Sequence, residues 1–330
     1  MKMRKFILLL CIGLSSGSFA QDFHLSQWDA ASINANPGMT GVFKGDYRIH
    51  GHFRTQWAAL ATRPFTTGLI SFDANQGKWG WGIQAANFRA GTGAYNVISI
   101  LPAFAWKFPL GKERHHFITT GLSAGIFQKS IRISELTFGD EYSPYGGGSF
   151  SNPTQETFGD ANVLNVDVNV GVMYYYAKPG VRVNPFGGFS VFHVNRPSES
   201  FVQDKANKLP FRYQGILAAR VVINNKIAVI PKVLYQHQEG ANEVIFSALG
   251  QFYLESYDLF ILGGGTYRNK DAFIAEVGLK YGPWLGRFSY DINTSSLNNA
   301  TNGRGGSEIS VTYTFSKPHP NPVPTCPRIE

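Results

Sequence analysis

The last quarter of the chain, Leu259 to Phe315, leaves few choices of fold. Its segments alternate apolar and polar residues with period two, broken by short polar turns. Phe273, Ala275, Val277, Leu279 and Tyr281 fall on one face, with Glu276, Gly278 and Lys280 on the other. After Gly282-Pro283 the pattern restarts: Trp284, Gly286, Phe288, Tyr290 and Ile292 oppose Arg287, Ser289, Asp291 and Asn293. The final segment sets Ile309, Val311, Tyr313 and Phe315 against Glu308, Ser310, Thr312 and Thr314. A period of two with one apolar face specifies strands, not helices. Segments of about ten such residues, closing on an aromatic, are the signature of a transmembrane β-barrel of the outer-membrane kind.

Extending this reading towards the N-terminus gives fourteen strands, from Lys44–Trp57 to Glu308–Phe315, so the expected fold is all-β, an antiparallel barrel over 44–315. An even count returns both ends of the chain to one side, the periplasm. Connection lengths agree with the count. The long connections, Lys129 to Val163, Arg196 to Pro210 and Thr294 to Ser307, all follow odd-numbered strands, and those after even-numbered strands are short. Trp79, Trp81, Trp106, Phe108, Tyr281 and Trp284 cluster at the short-connection ends, as rings at headgroup level do. Pro231 interrupts a strand and removes a ladder donor, which predicts a bulge there.

Residues 1–20 read as a secretory signal: basic Lys2, Arg4 and Lys5, apolar Phe6 to Leu14, and the small-residue site Ser18-Phe19-Ala20. Removing it takes Cys11 and leaves Cys326, so an internal disulfide is excluded. Residues 21–43 show no strand alternation and contain the turn Asn36-Pro37-Gly38. They form a lead-in, either a plug inside the barrel or a periplasmic arm. Residues 316–330 hold five prolines and form an extended periplasmic tail. The formal charge of +8 is spread along the chain without basic clusters carrying interleaved aromatics, which argues against nucleic acid as a partner.

Arg48, His50, His52 and Arg54 share one face of the first strand, and four ionisable groups in a row cannot face lipid. They line the lumen. His50 and His52 stand about 6.6 Å apart by the strand rise, which admits a metal pair. No third ligand is near in sequence, so lumenal packing is the favoured reading and no metal or cofactor is expected. Arg268, Glu276, Lys280, Arg287, Asp291 and Glu308 also face inward. Their balanced signs fit a salt-bridged, filled interior better than a selective channel. His193 invites comparison with a Ser-His-Asp hydrolase, but no nucleophile-elbow pattern accompanies it, and the chain is read as a non-enzyme. The connection from Lys129 to Val163 carries Phe138, Asp140, Glu141, Tyr142 and Tyr145 among glycines, a composition suited to adaptable recognition. With Trp28 in the lead-in and Cys326 in the tail, these are the candidate partner contacts.

Several strings carry a specific resemblance. They are Leu25-Ser26-Gln27-Trp28, Asn36-Pro37-Gly38, GFSVFHVNRP (Gly188 to Pro197), LPFRYQ (Leu209 to Gln214), YRNKDAFIAEVG (Tyr267 to Gly278), FSYDINTSSL (Phe288 to Leu297) and GSEISVTYTF (Gly306 to Phe315). In these the chain resembles the PorP/SprF family of outer-membrane proteins of type IX secretion in Bacteroidetes. One departure is that Ser307-Glu308 lack the intervening His common in the family. The resemblance implies a role in protein export and surface attachment, as a partner of the periplasmic ring and motor components or of one secreted adhesin. The barrel would sit in outer-membrane lipid without being the protein-conducting pore. The alternative from another class is a passive channel for small solutes.

Overall fold

The structure, a computed structural model, describes residues 22–58, 63–91, 95–132, 136, 138–144, 148–150, 152–153, 162–201, 207–296 and 298–316. Fourteen antiparallel strands close into one barrel. They are β1 (Tyr47–Gln56), β2 (Phe65–Gln76), β3 (Trp79–Ala90), β4 (Tyr95–Leu110), β5 (His116–Ser130), β6 (Asn162–Tyr176) and β7 (Val183–Phe192). Then come β8 (Arg212–Val222), β9 (Ile227–Gln238), β10 (Ala241–Leu254), β11 (Leu259–Arg268), β12 (Ala272–Tyr281), β13 (Trp284–Asn293) and β14 (Arg304–Phe315). The seam pairs β1 with β14, from Tyr47 opposite Phe315 to Thr55 opposite Ser307. Closure leaves no strand edge unpaired in the membrane, the condition for a sheet to survive there.

Turn chemistry follows the hairpins. Glu239 and Gly240 both have positive φ (43° and 83°), which the two-residue turn between β9 and β10 requires. The connections after even strands stay short, whereas those after β5, β7 and β13 are long. The two rims are therefore called the short-turn end and the long-loop end. Exposed Trp79, Trp81, Trp106, Tyr281 and Trp284 ring the short-turn end. A second belt, absent from the sequence reading, runs around the other rim through Tyr213, Tyr235, Tyr267 and Tyr290. Single tyrosines spread over four strands leave no local cluster to notice.

Two expectations are corrected. Pro231 sits opposite Ala248 with no extra residue, and the β8–β9 pairing lapses beside it and resumes in the same register. A gap in the ladder absorbs the missing donor. The register shift lies instead between Tyr290 and Ile292, across β13 and β14. There Gly305 and Gly306 of β14 together oppose the single Asp291, so the extra residue lies on β14, and the alternation of β13 runs unbroken with Asp291 inward like Arg287 and Ser289. The interior is also less polar than expected. Met173, Phe186, Ile230, Leu249, Leu262 and Leu285 face inward towards the short-turn end and form an apolar core. The sequence hid this because their strands are apolar on both faces there.

Candidate functional site: a bore filled by the chain's own lead-in

Residues 22–43 occupy the barrel interior along its length. At the long-loop end the Asp22 N–H donates to Gln238 Oε1 at the close of β9 (3.0 Å). At the short-turn end Val42 and Phe43 lie with Lys280, Gly282 and Pro283 around one cavity. The segment begins without regular structure, makes a single helical turn at Ser32–Ala35 and a 3-10 turn at Pro37–Met39, and then feeds β1. A chain this irregular tolerates burial only if its backbone groups find partners. The barrel wall supplies them.

Ser26 and Gln27 form the first anchor. Their N–H groups donate to the two carboxylate oxygens of Glu308 (2.5 and 2.9 Å). The Ser26 hydroxyl donates to Asp291 (2.7 Å) and accepts from Arg54 (2.6 Å) and Arg268 (2.7 Å), which uses all of its hydrogen-bonding capacity. Gln27, fully buried, donates from Nε2 to Ser289 and accepts from Ser310 (3.0 and 2.6 Å). Arg54 closes the network by pairing with both Glu308 and Asp291.

Asp29 is the second anchor, accepting from Lys232 (2.7 Å) and in fork geometry from Arg287 (2.9 and 3.2 Å). Arg287 also donates to Glu276 (2.5 Å). Burying the Asp29 carboxylate is costly, and the paired Arg287 and Lys232 offset that cost.

The third anchor is the turn Asn36-Pro37-Gly38. Asn36 Nδ2 donates to the Val172 and Phe189 carbonyls (both 3.2 Å), and its Oδ1 accepts from the Gly38 N–H (2.8 Å). The turn presses on glycines of the wall. A Cβ at Gly121 would lie 2.2 Å from the Pro37 carbonyl group, and one at Gly171 2.0 Å from Asn36 Oδ1. No side chain fits between these backbones. Below, the Gly41 N–H donates to Asp73, which Arg48 holds by two bonds (2.9 and 2.8 Å), while Lys107 donates to the Gly41 carbonyl.

His193, at positive φ just beyond β7, clamps the start of the segment. Its Nε2 meets Asp22 (2.6 Å) and its Nδ1 meets Asp167 (2.9 Å). Burial would lower this imidazole, but the two carboxylates push it up to about 9. Both ring nitrogens are committed, so this histidine has none left to activate a serine.

The candidate residues are scattered. Trp28 is 5% exposed inside the bore, stacked into the apolar core with Met39, so its indole is not presented to a partner. Phe138, Asp140, Glu141 and Tyr142 lie in the β5–β6 connection, where Gly139–Glu141 make a 3-10 turn and Tyr142 packs on Phe150 of a small hairpin. Tyr145 and Cys326 fall outside the described residues, as do the signal segment and most of the tail. His50 bonds Thr312 and His52 bonds Glu308. Among the described residues no three His, Cys, Asp or Glu gather as metal ligands do. Sequence reading missed Asp22, Gln27 and Asp29 as anchors. The available signal was polar side chains in a segment without period, next to an inward face rich in charge.

Every string that carried the resemblance supplies a contact of this one assembly. Ser190 and His193, Arg212 and Gln214, Arg268 and Glu276, Ser289 and Asp291, and Glu308 and Ser310 all bond the lead-in or its bonded partners. A closed fourteen-stranded barrel, apolar outside and plugged by its own N-terminal segment, is an outer-membrane protein by class. One solved structure supports the fold, and two more are similar at lower scores. The CymD monoaromatic hydrocarbon channel is 11% identical over 93% of this chain and 98% of its own, with a TM-score of 0.50. The toluene transporter TbuX of Ralstonia pickettii is 10% identical over 87% and 94%, at 0.49. A FadL homologue of Pseudomonas aeruginosa is 8% identical over 87% and 94%, at 0.48. Such identities speak for fold alone. No curated protein matches the chain significantly. The family model described as type IX secretion system membrane protein PorP/SprF matches residues 17–313, and the chain belongs to that family.

Proposed function

We propose that the protein is a non-enzymatic component of type IX secretion that assists the export and surface anchoring of secreted proteins, gliding adhesins among them, by binding partners at its two rims. Both termini lie in the periplasm, and the long-loop end faces outward. The observation that carries this reading is the filled bore. Ion pairs and hydrogen bonds of the lead-in stop it from rim to rim, which leaves surfaces rather than a passage for work. The β5–β6 connection around Asp140 to Tyr145 is the outer contact, and the tail after Ser316 is the periplasmic one. The rival reading, a solute channel, needs the anchors at Glu308, Asp29 and Asp73 to release together.

Deleting the gene tests the proposal. The expected strain has an intact outer membrane but loses one or more secreted proteins from its surface, into the periplasm or the medium. Trimming the segment from Asp140 to Gly148 reproduces the surface defect while the barrel still inserts. Normal secretion, surface proteins and gliding in the deletion strain would defeat the reading and leave the channel first.

A further inference from the structure

The lead-in does not fill the bore evenly. Towards the long-loop end, against β3 to β6, it leaves a cavity of about 460 Å³, within the range of small-molecule sites. Six aromatic rings wall it: Phe23 of the lead-in, Phe88, Tyr95, Phe127, Phe192, and Phe201 from the β7–β8 connection. Four of them run in sequence around the wall. Phe23 stacks on Phe88 at 6.0 Å, Phe88 meets Tyr95 edge-on at 6.4 Å, and Tyr95 meets Phe201 at 6.4 Å.

The charged groups in the lining are spent on one another. His193 holds Asp22 and Asp167, Arg212 pairs with Asp22 (3.1 Å), and Lys129 pairs with Glu199. Three anionic groups thus face three cationic ones. A charged ligand would have to break a buried pair and strand its partner, which is costly. A neutral ligand breaks nothing.

From this geometry we infer that the cavity is a binding site for an uncharged, predominantly apolar molecule, such as a long-chain alcohol. The inference goes beyond the secretion role and stands whether or not that role holds. The apolar chain has two sources, a membrane lipid or a free hydrophobic solute, and both satisfy the same chemistry.

The test uses the full mature protein in lipid nanodiscs with N-phenyl-1-naphthylamine as the fluorescent probe. Ser99 lines the cavity from β4, so Ser99→Trp fills it, and Leu101→Trp provides a second filler should the first fail to insert. The wild type is expected to give a saturable signal that both fillers lose, with folding checked by heat-modifiable migration. Decanol is expected to displace the probe at least tenfold more effectively than decanoate or decylammonium. Glu199→Gln frees Lys129 of its carboxylate and is expected to improve decanoate several-fold while leaving decanol unchanged. Native mass spectrometry of protein taken from membranes separates the sources: a bound lipid marks the first, and an empty protein that takes up decanol marks the second. Equal signals from wild type and folded fillers, or equal competition by decanol and decanoate, would overturn the proposal.

Discussion

At the scale of single residues, the barrel interior is governed by the pairing of its charges. Ser26 has one donor and two acceptor positions and all three are used, so no neighbouring charge is left bare. His193 shows the same logic in protonation. Its folded pKa, about 9, lies above the ordinary 6.5. The stabilisation it adds is therefore complete below about 6.5 and is lost as pH rises through 9. Asp22 has the opposite sign: burial would raise it, but His193 and Arg212 lower it, so its contribution fades only in acid. Histidine-labelled NMR of the folded protein is expected to show His193 titrating near 9, and Asp167→Asn to bring it down towards the ordinary value. A wild-type midpoint near 6.5 would contradict the clamp.

At the scale of elements, the lead-in and wall meet backbone to backbone at the Asn36-Pro37-Gly38 turn. Gly121→Ala would set a Cβ 2.2 Å from the Pro37 carbonyl group. Such overpacking typically costs about 1–3 kcal/mol, and here the cost falls on docking of the turn rather than on the strand ladder. Limited proteolysis is expected to cut the variant's lead-in several-fold faster while the barrel keeps its heat-modifiable migration. Planar bilayers are expected to show intermittent openings where the wild type is silent. Gly286→Ala is the control, because a Cβ there meets nothing within 4 Å. Identical behaviour of the two alanine variants would remove the close approach as the holding contact.

At the scale of the whole molecule, the barrel has two unequal rims and a bore occupied by the lead-in. Which rim faces the medium follows from the expectation that long connections lie outside. Tyr142, 49% exposed on the β5–β6 connection, and Lys226, on a short turn, report on opposite sides. In a background lacking Cys326, Tyr142→Cys is expected to react with a membrane-impermeant maleimide on intact cells. Lys226→Cys is expected to react only after the outer membrane is opened. The reverse pattern would invert the molecule and move the proposed partner surfaces with it.

The strand pattern was legible in the sequence because each strand reports its own two faces. Alternation at Phe273 to Tyr281 and Trp284 to Asn293 needs no distant information, so number, order and hand-over between strands could be read locally. The inward set Arg268, Glu276, Arg287, Asp291 and Glu308 was legible for the same reason. What those charges bind was not. Glu308 meets Ser26 and Gln27 across more than 280 positions, and Asp29 meets Arg287 across 258. No local period encodes such contacts. The lead-in could be named as plug or arm from its lack of alternation, but only closure of the barrel creates the buried charges that draw it inside. The bulge at Gly305-Gly306, the glycines under Pro37 and the aromatic cavity share that origin. Lipid and lumen impose a period of two on the chain, so the strands can be read residue by residue. What fills the lumen emerges only on folding, because burial forces each inward charge to find a partner wherever the fold has brought one.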